Sequence, residues 1–249
     1  MAKYFLELSY MGTRYNGFQV QPSVPTVQGA LEQAMKILFK QEIELSTSSR
    51  TDAGVHARQN FFHFESDVQI TAKNVYNLNA ILPADISITN IYLMQEEAHS
   101  RFDALSRKYK YYIYNYKNPF MIDRGWYYPF KLDLDLLNQA AAVIMGYEDF
   151  TSFSKRNTQV HTYICRIEQA HWAMEGDMLV FTVEANRFLR GMVRALVATM
   201  LKVSRGSITL DQLKEIIEAK NCAKADFSAP AKGLFLEAVR YPYKLTAVG

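Results

Sequence analysis

Apolar residues in this chain recur at two spacings, and the places where one gives way to the other divide it into elements. Alternation through Tyr4-Phe5-Leu6-Glu7-Leu8 predicts a strand over 3–10. Val27, Leu31, Ala34 and Leu38 then recur at helical spacing and predict a helix over 26–39. Strands over 43–48 and 58–65 follow, then a helix over 71–81 that ends near Pro83, and a strand over 86–94. The second half begins with a strand over 107–116 and a helix over 133–145, capped by Asp133 and stopped by Gly146. Two strands, 164–174 and 178–185, hinge on Gly176-Asp177. Helices over 188–203 and 209–219 precede a last strand over 234–241.

Each half therefore reads β-α-β-β-α-β, the split βαβ arrangement. Two such units give an α+β fold: a mainly antiparallel sheet with helices on one face and the other face open to a long polymer. The division falls near residues 103–106 and separates an N-terminal domain, 1–105, from a C-terminal domain, 106–249.

Composition narrows the picture only a little. The chain has 249 residues, 49% of them hydrophobic, enough to bury one large core or two smaller ones. Its formal net charge of +3 announces no polyanionic partner, so any basic footprint is local. Three clusters are available: Arg187, Arg190 and Arg194; Arg107, Lys108 and Lys110; Lys155 and Arg156. Each alone is more often a solvated face than an RNA site. Cys165 and Cys222 lie far apart and in no metal-type spacing, which suits a reducing compartment. Met1 runs straight into the first alternating stretch, leaving no room for a signal peptide, and no apolar stretch reaches the length of a membrane span. A cytoplasmic location is the expectation.

The chemistry concentrates in Ser49-Arg50-Thr51-Asp52-Ala53-Gly54-Val55-His56-Ala57. A carboxylate, a guanidinium, a turn glycine and an imidazole lie within nine residues, between two predicted strands. Gly54 admits a positive φ or a close backbone approach. A carboxylate held at a strand end beside a fixed positive charge suits nucleophilic or acid–base work. The bland alternative is an Asx-type turn, with Asp52 bonded to its own backbone and Arg50 and His56 facing solvent. An aspartate in water, with a pKa of about 3.9, is ionised at neutral pH without help; a counter-ion becomes necessary only if the site is buried. Arg194 is a suitable partner, because it interrupts the apolar run Leu189, Met192, Val193, Leu196, Val197 and Met200. It reads also as an arginine snorkelling from a half-exposed helix face. Arg50 would bind a phosphate or displace a base, or else be a plain surface charge. For His56 a hydrogen bond that shapes the loop is a better reading than a general base. In Arg107-Lys108-Tyr109-Lys110-Tyr111-Tyr112, strand alternation puts Tyr109 and Tyr111 on one face and the lysines on the other. A tyrosine there could stack beneath a base, or serve as a core aromatic, which is the reading for Tyr111 and Tyr112.

These words, in this order, resemble the tRNA pseudouridine synthase A (TruA) family. The Arg50-to-His56 run matches its active-site signature, with Ser49 standing where the family commonly has glycine. Tyr10-x-Gly12, Tyr15-x-Gly17-Phe18-Gln19, Thr26-Val27-Gln28-Gly29 and Asn79-Ala80-Ile81-Leu82-Pro83-Ala84-Asp85-Ile86 agree with the N-terminal half. Arg101-Phe102-Asp103-Ala104, Asp149-Phe150-Thr151-Ser152-Phe153, Ala185-Asn186-Arg187-Phe188, Met192-Val193-Arg194 and Ala229-Pro230-Ala231-Lys232-Gly233 continue it. Further departures are Ala198 and Ser204, each at a common glycine position, and Asp226-Phe227, where small residues are frequent.

The resemblance implies two related domains forming one sheet with a cleft between them, usually in a homodimer. It implies isomerisation of uridine at positions 38, 39 and 40 of the tRNA anticodon arm, with Asp52 as the catalytic aspartate. It places Arg194 opposite Asp52 and Tyr109 in the substrate pocket, and it adds weight to Arg50 as a substrate contact. No cofactor is implied. The sequence agrees: it has no Gly-rich phosphate loop, His-Glu-x-x-His, Cys-x-x-Cys or Gly-x-Ser-x-Gly, so it indicates no metal, nucleotide cofactor or serine nucleophile. The alternative from another class is a non-catalytic RNA-binding protein that uses an aromatic sheet face.

Overall fold

A computed structural model describes residues 1–156 and 160–249. By contact the chain divides into two compact units, Met1–Leu105 with Leu236–Gly249, and Ser106–Phe235. Five α-helices and nine mostly antiparallel strands among the described residues make the fold α+β.

The first unit runs β1 (Ala2–Tyr10), α1 (Val27–Phe39), β2 (Ser46–Thr47), β3 (His56–Ser66), α2 (Ala72–Ile81) and β4 (Ile86–Met94). β1 lies between β3 and β4 and pairs antiparallel with both, so Phe5, Leu6 and Leu8 are completely buried. Helix α1 starts where Thr26 Oγ1 accepts the Gly29 N–H at 3.2 Å, and it buries Val27, Leu31, Ala34 and Met35 on one stripe. It packs on α2, which lies on β4.

The second unit runs β5 (Ser106–Tyr114), β6 (Trp126–Tyr127), α3 (Leu134–Met145), β7 (Ile167–Glu175), β8 (Met178–Ala185), α4 (Met192–Ser204), α5 (Leu210–Glu218) and the start of β9 (Leu234–Arg240). β8 lies between β5 and β7, antiparallel to both, and β6 runs parallel to β5. Helix α3 packs on β7 and carries α4 and α5. Asp133 caps α3, accepting the Leu136 N–H at 3.0 Å, and Gly146 ends it.

Several ends differ from the sequence pattern, β7 starting at Ile167 rather than 164 and β5 ending at Tyr114 rather than 116 among them, and at three places a physical reason is plain. The strand expected over 43–48 forms a ladder only at Ser46 and Thr47, although Ile43 and Leu45 alternate inward as strand residues would. The helix expected from 188 begins at Met192, because Gly191 has φ +76° and cannot continue a right-handed helix. The division at 105/106 assigns residues 236–249 to the second half, but the tail belongs with the first unit. There Glu237 meets Arg58 at 3.0 Å, and the Val239 N–H donates to Gln59 Oε1 at 3.0 Å. The Val248 N–H reaches the Ile91 carbonyl at 2.9 Å. These are long-range pairings that local periodicity does not encode.

Candidate active site

In the first unit the chain between β2 and β3 makes a short loop, 48–55, whose backbone is fixed on every side. The Val55 N–H closes on the Asp52 carbonyl at 3.1 Å, and Gly54 adopts φ +78° within that turn. The Phe18 N–H donates to the Thr51 carbonyl at 3.1 Å and the Gly54 N–H to the Tyr15 carbonyl at 3.3 Å. Thus the segment 12–18 lies directly against the loop. A Cβ on Gly12 would stand 1.9 Å from the Val55 carbonyl oxygen, so only glycine fits there. His56 is fully buried, and its Nδ1 accepts the Gly12 N–H at 2.9 Å, the loop-shaping role expected for it.

Beneath the loop lies a buried polar network. Tyr10 Oη and Thr51 Oγ1 are 2.8 Å apart. Asn60 Nδ2 donates to the Ser49 carbonyl at 3.0 Å and to Tyr10 Oη at 3.3 Å, while its Oδ1 accepts from Ser48 Oγ at 2.8 Å. Ser49, standing at the family's glycine position, joins through its own hydroxyl, 3.3 Å from Ser48 Oγ. On the far side Tyr15 donates to Asp85 Oδ1 at 2.7 Å, and the Met11 N–H donates to the Asp85 carbonyl at 2.9 Å. Burial and this carboxylate partner push the Tyr15 hydroxyl pKa upward, so it stays a donor. The outcome is a half-buried Asp52 on a rigid turn, with Arg50 exposed two residues before it.

Sequence reasoning singled out Asp52, Arg50 and His56 but assigned no role to Tyr10, Thr51, Asn60 or Asp85. One signal was available: Asn60 is polar on a strand of buried aromatics, Phe61, Phe62 and Phe64.

In the second unit, Tyr109 and Tyr111 share a face of β5, as the alternation requires. Tyr111 is core, with its hydroxyl donating to the Pro230 carbonyl at 2.7 Å. Burial drives the Tyr111 pKa up while the Arg194 charge opposes that rise. Gly233 lies so close that a Cβ there would stand 2.6 Å from the Tyr111 ring. Tyr109 is half-buried and meets Phe188 edge-on, with centroids 5.1 Å apart at 85°. Arg194 leaves the apolar face of α4, and its Nε donates to the Ala229 carbonyl at 2.6 Å. That bond fixes the plane of the guanidinium. Thus Tyr111, Pro230, Ala229 and Arg194 form one assembly, with Tyr109 next along the same strand face.

Of the three basic clusters, one is largely neutralised. Lys108 meets Glu184 at 2.9 Å and Lys110 meets Glu175 at 2.6 Å, while Arg107 Nη1 donates to the Asn186 carbonyl at 3.1 Å. Lys155 and Arg190 are brought together, the Lys155 N–H donating to the Arg190 carbonyl at 3.0 Å. Among the described residues no helix is long and apolar enough to cross a membrane, and no group of His, Cys, Asp and Glu is placed to hold a metal ion.

Comparison with known proteins agrees with these words in the sequence. A family model described as tRNA pseudouridine synthase matches residues 140–242. The chain is similar to the tRNA pseudouridine synthase A of Parabacteroides distasonis, with 44% identity over 253 residues, 100% of this chain and 99% of that protein. It is similar also to the tRNA pseudouridine synthase A of Porphyromonas gingivalis, with 42% identity covering 98% of this chain and 99% of that one. Staphylococcus aureus has a more distant relative of the same name, 34% identical over 94% of this chain and 90% of its own length.

Proposed function

The chain belongs to the tRNA pseudouridine synthase A family, a family of isomerases, and from that premise we propose that it converts uridine to pseudouridine at positions 38, 39 and 40 of the tRNA anticodon arm, with Asp52 as nucleophile. The observation that carries the role of Asp52 is the loop itself: a half-buried carboxylate on a turn held from below by Asn60 and from the side by Gly12 and Tyr15. Such fixing suits a group that must meet a reacting carbon at a set distance.

The reaction breaks the N1–C1′ bond, turns the uracil over and rejoins it through C5, with the C5 proton lost and N1 protonated. Atoms balance without a co-reactant. Asp52 attacks C1′ and holds the ribose while the uracil turns. The target uridine leaves the helical stack to reach it, at a cost of a few kcal/mol. Tyr109 offsets that cost by stacking with the extruded base, a contact of about 1–3 kcal/mol. Arg50, exposed beside Asp52, engages a phosphate. Arg194, oriented by Ala229, supplies the positive charge that answers the carboxylate. In this reading the working form is a cytoplasmic homodimer in which one tRNA contacts both subunits. A folded monomeric variant with undiminished tRNA affinity would count against the last point.

The experiment maps pseudouridine by base-specific chemical labelling on unmodified tRNA, with wild type and Asp52→Asn side by side. Wild type should label the anticodon arm. Asp52→Asn should fold and bind tRNA yet lose on the order of 10⁴-fold in rate. Conversion by Asp52→Asn at the wild-type rate would remove Asp52 from the chemistry. A folded wild type that binds tRNA and converts nothing would leave a passive RNA-binding protein.

A further inference from the structure

The turn 99–103 in the first unit holds an aromatic ring out in water. Phe102 is 75% exposed. Its ring has His99 at 4.3 Å between centroids and the Arg101 guanidinium carbon 5.7 Å from its centroid. The turn beneath it is pinned at several points. His99 Nδ1 accepts the N–H groups of both Arg101 and Phe102, at 3.1 and 3.3 Å. The His99 N–H donates to Asp103 Oδ2 at 2.8 Å, and the Asp103 N–H closes on the His99 carbonyl at 3.1 Å. Tyr243 donates to the same Asp103 oxygen at 3.1 Å. Behind the turn, fully buried Ser100 has its hydroxyl 2.9 Å from His63 Nδ1, and its carbonyl accepts from Tyr241 at 2.6 Å. Tyr241 and Tyr243 are themselves stacked, 5.6 Å apart at 12°.

An exposed phenylalanine on a loose loop would fold back onto apolar surface. Here the backbone on both sides of Phe102 is tied down, so the ring stays presented with a cation at its side. We propose that Phe102 and Arg101 form a stacking platform for an unpaired nucleobase of the bound tRNA, a base other than the reacting uridine; this rests on the tRNA reading above. Every nucleobase has a π-face that stacks on an aromatic ring, and a guanidinium beside that ring adds attraction to both base and backbone. The base must be unpaired and unstacked on one side, because a base inside a stem has both faces covered by its neighbours. The contact positions the tRNA; Phe102 takes no part in bond making.

The test compares Phe102→Ala, Phe102→Leu and Phe102→Trp with wild type for binding unmodified tRNA at two salt concentrations, with melting temperatures in parallel. Phe102→Ala should weaken binding roughly 5- to 100-fold and raise KM in step, with the melting temperature unchanged because the ring is exposed. The ratio of the two Kd values should hold across salt, since no charge is removed, whereas Arg101→Gln should flatten the salt dependence. Phe102→Leu should behave as Phe102→Ala does, and Phe102→Trp should bind at least as tightly as wild type. Wild-type affinity in Phe102→Ala or Phe102→Leu would overturn the platform, as would a loss of affinity that follows a fall in melting temperature. If wild type itself binds no tRNA, the function and the platform fall together. If wild type converts uridine while Phe102→Ala binds normally, the platform alone falls.

Discussion

Asn60 has no exposed surface, yet it sits in a strand of phenylalanines and uses both ends of its amide. It receives Ser48 Oγ and the Phe61 N–H, and it donates to the Ser49 carbonyl and Tyr10. Asn60→Ala leaves the Ser48 hydroxyl and the Ser49 carbonyl buried without that partner, a loss of about 2–4 kcal/mol in stability. Because those groups carry the loop that ends in Asp52, kcat at saturating tRNA should fall at least about tenfold well below the melting temperature. Single-turnover rates on pre-bound tRNA measure this directly; an unchanged rate in the folded variant would make the network structural only. This network also marks where reading the sequence stops. Asp52, Arg50, Gly54 and His56 are legible because they are neighbours in the chain and their chemistry is visible in one glance. Asn60, Tyr10 and Thr51 are not, since the contact between Tyr10 and Thr51 spans 41 residues and Asn60 reads locally as a flaw in a strand. Arg50 is exposed beside the half-buried aspartate, a position that leaves its guanidinium open to a phosphate.

At the scale of elements the two periodicities carried nearly all of the fold. Strand β5 has the alternation expected of it: Tyr111 is inside, Tyr109 is half-buried on the same face, and Lys108 and Lys110 turn to glutamates on the other. The failures came at ends, where a single backbone angle or a distant partner decides, as at Gly191 and in the tail after Phe235. Helices α3 and α4 show what a departure from the family's pattern can do. Ser204, at a common glycine position near the end of α4, accepts the Asp133 N–H at 2.7 Å and donates to the Asp133 carbonyl at 3.2 Å. The Asp133 side chain meanwhile caps α3. The end of one helix thus buttresses the start of the other. Asp133→Ala should cost about 1 kcal/mol as a lost cap, and Ser204→Ala about 1 kcal/mol as lost hydrogen bonds. Urea denaturation of the double variant should depart from additivity by about 0.5 kcal/mol or more, because both changes act on one residue's geometry. Strict additivity would mean that the two helix ends are independent.

For the whole molecule, the shifted ionisable groups lean so as to give a stability plateau near neutral pH. Burial, aided by the positive charges of His99 and Lys3, pushes the His63 pKa down from 6.5 to about 4. Burial lowers His99 as well. Between those two values the unfolded chain takes a proton that the folded one refuses, so stability rises with pH there and is lost on acidification. For His63 the loss is roughly 1–2 kcal/mol, after discounting for solvent screening of a half-buried ring. Lower still, two carboxylates add to it. Burial alone would raise Asp149 and Asp226, but hydrogen bonds from Lys220 and Thr151 to the first, and from Lys202 and Ser228 to the second, hold both below 3.8. Their contribution is complete above that value and vanishes as pH falls through the folded one. On the alkaline side burial raises Cys165 from 9.0 to about 11 and lifts Tyr15, Tyr92, Tyr111 and Tyr243. There the unfolded chain loses protons first, and stability declines above pH 9. The unfolding free energy from urea titrations should therefore be flat from about pH 7 to 9 and fall on both sides. His63 belongs to the first unit, whereas Cys165, Asp149 and Asp226 belong to the second. His63→Gln should flatten the acid limb between pH 6.5 and 4 while leaving the alkaline limb as it is. If His63→Gln retains the full wild-type slope between pH 6.5 and 4, that limb has another origin, and the buried His63 is not the group through which mild acid first weakens this fold.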